Sequence, residues 1–318
     1  MANIFAKKYT REEIHTYTGS LRQIGGIARS QLSEGPGKGM EIATLRTGSG
    51  FDLTLLMDRG MDISTASYRG VPLNWSSPSG DAHPNRFDPH GLGWLRTFPG
   101  GLLVTCGLRQ TGSPCEDEGE ALGLHGRYTS LPAERICHTE GWEGDDYVMR
   151  LSGEMREAVI FGENLVLHRE YRAILGEPRI TLTDTVTNEG SSPSPHMILY
   201  HCNFGFPLLS PGTELSTPHA QIEPRNPDLE DPEGPLRFTE PISGYQERVY
   251  YHLMETDAEG YVSVRLKNPS IDGGLTFTLE YRHDQLPHFT QWKMMGKRDY
   301  VCGLEPGNAR VEGRAKER

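Results

Sequence analysis

The sequence predicts an all-β protein: one large antiparallel β-sandwich with a short N-terminal helix. Three observations carry this. Apolar residues recur at every second position in run after run, which is strand spacing. Glycine and proline are abundant, at 37 and 22 in 318 residues, and they punctuate the runs as turns do. No helix-length pattern falls between consecutive runs, which argues against βαβ units and a parallel sheet.

The helix is the first element. Thr10-Arg11-Glu12-Glu13 has the form of a capping box, so a helix is expected over about residues 10–18, ending before Gly19. From residue 40 the period becomes two, with Phe51, Leu53, Leu55 and Met57 on one side. Asp58-Arg59-Gly60-Met61 turns the chain, and Ile63 opens another strand. Val71, Leu73 and Trp75 alternate around Pro72, which restricts that run to a sheet edge. A polar loop of about residues 76–93 follows, long enough to be a lid or a mobile excursion. Leu102 to Cys106 is the next apolar run.

In the middle of the chain, Val159-Ile160-Phe161 and Leu165-Val166-Leu167 flank a hairpin turn. Ile180, Leu182, Asp184 and Val186 alternate with four threonines, so that strand has one wet face. Residues 207–245 are acidic and proline-rich and are expected to be mainly irregular. Strands resume at Val262 and Leu275, and the last one carries Glu305. Pro306-Gly307 is expected to turn the backbone just after it. No composition break marks a second domain, so residues 1–318 are expected to form one domain, with a charged, frayed tail from about 311.

Charge and cysteine usage exclude several classes. Lys and Arg total 32 against 43 Asp and Glu, a net charge of −11. An acidic chain without a basic block repels nucleic acid and anionic membranes, so neither is an expected partner. No apolar run approaches a membrane span, and the first residues lack a signal-peptide core. The five cysteines are odd in number and widely spread, without a C-x-x-C pair. That usage fits reduced thiols in a cytoplasm better than disulfides or a zinc knuckle. There is no G-x-G-x-x-G after a strand and no P-loop, and no cofactor is expected.

Three stretches carry candidate chemistry. Leu122-Gly123-Leu124-His125-Gly126 sets a histidine among glycines, where a ligand can approach closely. Tyr200-His201-Cys202-Asn203-Phe204 sets another at the end of an apolar strand. Leu304-Glu305-Pro306-Gly307 sets a carboxylate at a strand end. Taken singly, these are also a loop histidine, a core histidine and a solvated acid beside a turn. Taken in order, they resemble the galactose mutarotase (aldose 1-epimerase) superfamily, with its HG segment, its H-x-x-(F/N) segment and its late LEP segment. The DRGMDI, FPGGLLVTCGL and QWKMM segments resemble an aldose 1-epimerase-like branch more closely. Gly307 stands where that superfamily commonly has glutamine.

The resemblance implies a galactose mutarotase-like supersandwich and an isomerase that interconverts the α and β anomers of an aldose by ring opening. It implies Glu305 as general base, His201 as general acid, and His125 bound to the ring oxygen or a neighbouring hydroxyl. A carboxylate and an imidazolium suit those tasks, and a carboxylate neighbour is expected to keep His201 protonated at neutral pH. Further substrate contacts are expected from Arg59 and Arg96 near strand ends, from Asn203, and from Gln291, Trp292 and Lys293. The partner would be a small-molecule sugar and the protein a monomer or homodimer. Two other classes fit the same residues. One is a metal-dependent sugar isomerase or lyase, although no close-spaced ligand pair is present and no metal is expected. The other is a non-catalytic carbohydrate-binding protein.

Overall fold

The computed structural model describes residues 2–4, 7–271 and 273–318. Its regular structure is mostly antiparallel strand, grouped into several sheets. The chain divides into two compact units, each assembled from separated stretches: Met1–Val71, Asp81–Phe87 and Tyr128–Ser194 in the first, and Pro72–Gly80, Asp88–Arg127 and Pro195–Arg318 in the second.

The first unit begins with a short antiparallel pair, Ala2–Ile4 with Lys7–Tyr9, followed by the helix Arg11–Tyr17. It is capped by Thr10, whose hydroxyl accepts from the Glu13 amide while the Glu13 carboxylate accepts from the Thr10 amide. The strands Gly26–Gln31, Glu41–Arg46, Phe51–Leu56 and Asp62–Tyr68 pair in sequence order. A second sheet pairs Glu134–Glu143, Asp146–Ala158, Asn164–Ile174 and Ile180–Asn188 in the same way. In the last of these the threonines are exposed and the residues between them are mostly half-buried, as the alternation predicts. Val159-Ile160-Phe161 differs from expectation. It is the exposed turn of the hairpin rather than strand, and Phe161 adopts a φ of 65° there.

The second unit holds a six-stranded sheet in the order His219–Pro224, Arg248–Met254, His288–Met295, Tyr300–Gly307, Met197–Phe204, Val104–Leu108, with every neighbouring pair antiparallel. A three-stranded sheet of Glu214–Ser216, Tyr261–Asn268 and Leu275–Arg282 packs over one of its faces. Phe204 meets Phe277 with ring centroids 4.9 Å apart, and Tyr281 stacks on Phe289 at 6.1 Å. This leaves the other face of the six-stranded sheet for the residues described below.

The region 207–245 is mainly irregular, as expected, and holds two short strands, Glu214–Ser216 and His219–Pro224, the second an edge of the main sheet. Two expectations are corrected in this unit. Pro306-Gly307 does not turn the chain. The strand runs on through it with Pro306 opposite Phe289 and Gly307 opposite His288, and all eight residues of Tyr300–Gly307 are buried. The tail is not frayed. It ends in the helix Arg314–Glu317, and Arg314 is buried against Asp117 at 2.6 Å and Glu120 at 2.9 Å. No helix among the described residues is long and apolar enough to cross a membrane.

Candidate active site

Register brings Glu305 and His201 together. The strands that carry them pair Cys202 with Leu304 and Asn203 with Gly303, so continuing that count sets His201 directly across from Glu305. Directly opposed residues of an antiparallel pair project to the same face. The ladder pairs Leu199 with Gly307 and then resumes at Cys202. Between those points lies Pro306, which has no N–H to give. His201 Nε2 and Glu305 Oε1 come to 3.2 Å. Gly303, two residues before Glu305 and on the same face, makes the approach possible. A Cβ there would stand 2.5 Å from Glu305 Oε1 and 3.2 Å from His201 Cε1.

His125 reaches the same place from a loop. Its own φ is 57° and that of Gly126 is 74°, a left-handed pair that only tight turns use. At Gly126 a Cβ would lie 2.5 Å from the Gln110 carbonyl oxygen, so glycine is required by space as well as by conformation. The Gly112 amide donates to His125 Nδ1 at 3.3 Å, and the His125 amide donates to the Gly112 carbonyl at 2.9 Å. Because Nδ1 accepts, the neutral ring carries its proton on Nε2 and presents a donor. The His125 and His201 ring centroids are 5.6 Å apart and edge to face.

An aromatic wall surrounds the two imidazoles. Trp94 lies 4.7 Å from His125, Phe98 5.4 Å and Trp292 5.6 Å from His201, and Trp94 stacks on Phe98 at 4.4 Å. Trp75 closes the group against Phe98 and Trp292. Within this setting His201 Nδ1, Glu305 Oε1 and Asn203 Oδ1 are buried without a hydrogen-bond partner among the described residues. The 3.2 Å contact between Glu305 and His201 is therefore close but not aligned as a hydrogen bond.

Burial is the leading influence on all three titratable groups. It pushes the Glu305 carboxyl well above its usual range, and the Glu247 carboxylate adds to the rise. It holds His201 down to about 4. His125 is held well below its ordinary value by burial, then by His201 and Arg225. The expectation of a protonated His201 is thus corrected. Withdrawing both partners from water favours a neutral acid beside a neutral imidazole over an ion pair.

The other sequence candidates divide sharply. Asn203 shares the face of His201 and is fully buried; its amide nitrogen donates to the His201 carbonyl at 2.9 Å. Trp292 is on the same face, opposite Gly303. Gln291 and Lys293 flank it and therefore point to the opposite face. There Gln291 pairs with His252 and the Pro235 carbonyl, and Lys293 with Asp231 at 2.7 Å. Arg96 is exposed, in the short helical turn that also holds Trp94. Arg59 belongs to the first unit. It is buried there, donating to the carbonyls of Thr129 and Ala82, and burial lowers it to about 10. Among the described residues no group of three or more His, Cys, Asp or Glu is placed to hold a metal ion.

Trp94, Phe98, Gly303 and Glu247 were not singled out by sequence. Glu247 accepts from Trp292 Nε1 at 2.8 Å. Only Gly303 carried a readable signal: a glycine two positions from the acid on one strand clears space on the acid's own face.

Residues 37–318 match the model of a family described as a domain of unknown function (DUF4432). No curated protein matches the chain. Among solved structures, a Klebsiella pneumoniae protein provisionally described as an aldose 1-epimerase superposes with a TM-score of 0.81 at 26% identity, covering 90% of this chain and 75% of that one. A galactose mutarotase-like protein from Clostridium acetobutylicum gives 0.54 at 11% identity over 91% and 90%. Galactose 1-epimerase from Lactobacillus acidophilus gives 0.51 at 10% identity over 89% and 90%.

Proposed function

The chain belongs to the DUF4432 family and has the galactose mutarotase-like fold, and from the side chains on its second unit we propose that it interconverts the α and β anomers of an aldose. The observation that supports this reading is the facing of Glu305 and His201 at 3.2 Å, with His125 beside them and an aromatic wall around. A pyranose has apolar C–H faces that suit indole rings and hydroxyls that suit the unspent polar atoms.

The reaction needs one proton removed from the anomeric hydroxyl and one given to the ring oxygen. Glu305 and His201 hold one proton between them. A small turn of the imidazole aligns the 3.2 Å contact; when the proton then passes to His201, the pair becomes carboxylate and imidazolium. Glu305 then takes the proton of the anomeric hydroxyl while His201 gives its proton to the ring oxygen. The C1–O5 bond breaks, C1 becomes a carbonyl, and the pair returns to carboxylic acid and neutral imidazole, its resting arrangement. Rotation about C1–C2 and reversal of the two transfers closes the ring on the other face. His125 donates from Nε2 to a sugar oxygen and helps orient the ring. Each proton transfer is worth about 10²–10⁴-fold.

Glu305→Gln tests the assignment. The variant keeps its shape and loses the exchangeable proton. We expect anomer exchange by magnetisation-transfer NMR to fall to the buffer rate while sugar binding persists. Exchange at the wild-type rate would refute the role, and binding in a wild-type protein that exchanges nothing would identify a carbohydrate-binding protein instead.

A further inference from the structure

We infer that a second hydroxylated group of the substrate, a saccharide unit attached to the reducing ring, docks in a cavity beside Trp292. The inference rests on the sugar reading above and extends it to reducing disaccharides or longer chains. The cavity measures about 380 Å³ and is walled by Arg225, Asn226, Glu247 and Arg248, with Leu229 and Val249 as apolar surface. Ligand pockets run from roughly 300 to 1,000 Å³.

Its walls join the catalytic group. Glu247 Oε2 accepts from Trp292 Nε1 at 2.8 Å, and the Trp292 ring lies 5.6 Å from that of His201. The charge on Glu247 is felt at Glu305 and that on Arg225 at His125. A ring resting against His201 and Trp292 would therefore have this cavity as its neighbour.

The wall chemistry selects the occupant. Arg225 is fixed by Glu312 at 2.7 Å through Nε and by the Ser113 hydroxyl at 2.8 Å, while its Nη1 makes no hydrogen bond with the described residues. Asn226 accepts from the Asp228 amide through Oδ1 and leaves Nδ2 unspent. Glu247 Oε1 is likewise unspent. Two donors and one acceptor, held in place beside aliphatic surface, match neighbouring hydroxyls on a ring. The charges argue against an anion. Arg225 is offset by Glu312, Arg248 donates to the main-chain carbonyls of Glu230 and Glu247, and the Glu247 carboxylate repels negative groups.

The test compares glucose and galactose with maltose, cellobiose and lactose, using wild type, Asn226→Ala and Arg225→Lys. Asn226 is exposed, so its truncation leaves the core intact. We expect at least one disaccharide to be exchanged with a kcat/KM about tenfold above its reducing-end monosaccharide, with both variants losing most of that advantage. Saturation-transfer NMR should mark protons of the non-reducing ring in wild type and lose them in Asn226→Ala. Equal kcat/KM values with no saturation of the second ring overturn the inference and leave the anomer reaction standing. So does a sugar phosphate or uronic acid that outcompetes every neutral sugar through Arg225. A saturated second ring without any anomer exchange does the reverse: the subsite stands and the reaction falls.

Discussion

Gly303 is the residue on which the meeting of Glu305 and His201 depends. A methyl group there would overlap Glu305 Oε1 and crowd His201 Cε1 and Trp292 Cβ, at 2.5, 3.2 and 3.1 Å. The strand is buried throughout, so the backbone has little room to yield. Gly303→Ala should lower kcat/KM by about 10²-fold, since small misplacements in a site have effects of that size. It should cost about 1–3 kcal/mol by overpacking. Steady-state kinetics beside urea unfolding checks both, and full activity in a folded variant would mean the carboxylate does not need its present position. The same period of two explains why Gln291-Trp292-Lys293 was only partly legible. Consecutive strand residues face opposite ways, so a triplet cannot line one site, and Trp292 is the member that shares the Glu305 face. Arg59 shows the opposite limit. Nothing local separates an arginine that meets a ligand from one whose donors are spent on carbonyls from distant turns, as here on Thr129 and Ala82.

Among elements, the C-terminal tail changes most between sequence and structure. A run rich in Arg, Glu and Lys reads as solvated, because its partners, Asp117 and Glu120, lie about 200 residues away and no local pattern announces them. The structure makes this tail the brace of the His125 loop. The Arg314 amide donates to Gln110 Oε1 at 2.8 Å, the Gln110 amide nitrogen donates to the Ser113 carbonyl at 2.7 Å, and the Val311 carbonyl accepts from the Ser113 amide at 3.1 Å. Gly112, held in that turn, is the residue that donates to His125. Arg314→Ala leaves the buried Asp117 with the half-exposed Arg318 as its remaining ion-pair partner among the described residues and should cost about 1–3 kcal/mol. It should also lower kcat more than it raises KM, because a tail no longer pinned at Asp117 holds Gln110 less firmly through the Arg314 amide and so slackens the turn that orients His125. Arg314→Lys should restore part of the stability and little of the forked geometry. Unfolding midpoints and the kcat–KM split measure these; a variant as stable and active as wild type would show the tail to be passive. Strands with clean alternation, such as Phe51–Leu56 and Ile180–Asn188, were legible because burial on one face writes itself into every second residue.

Across the molecule, stability should depend on pH through histidines that are buried neutral. His201 and His252 are each held at about 4 by burial. In the unfolded chain such groups bind a proton below about 6.5. Between those limits the unfolded state holds more protons, so stability rises with pH and falls on acidification, by about 1.4 kcal/mol per pH unit for each such group. His201 has a compensator. Glu305 is raised, so its contribution is present below the unfolded carboxylate range and is lost as pH rises through its folded value, opposite in sign to the histidine's. The pair enters and leaves the neutral range with one proton and largely cancels. His252 has no such neighbour. It lies on the other face of the sheet, bonded to Gln291 at 3.0 Å and to the Thr217 hydroxyl at 3.3 Å, with His219 adding like charge rather than relief. The acid-side slope should therefore come from His252 together with His125, which burial also holds neutral, and from His196 and His288, each lowered by burial. In His252→Gln the fall in unfolding free energy between pH 6.5 and pH 4.5 should shrink by about one proton's worth, while the proposed anomer exchange, if His201 and Glu305 on the opposite face carry it, should keep the acid limb of its pH profile near 4. Urea unfolding at stepped pH together with exchange kinetics separates the two. An unchanged stability slope in the variant would place the acid sensitivity elsewhere, and an acid limb near 6.5 would show that His201 is not held neutral by its surroundings.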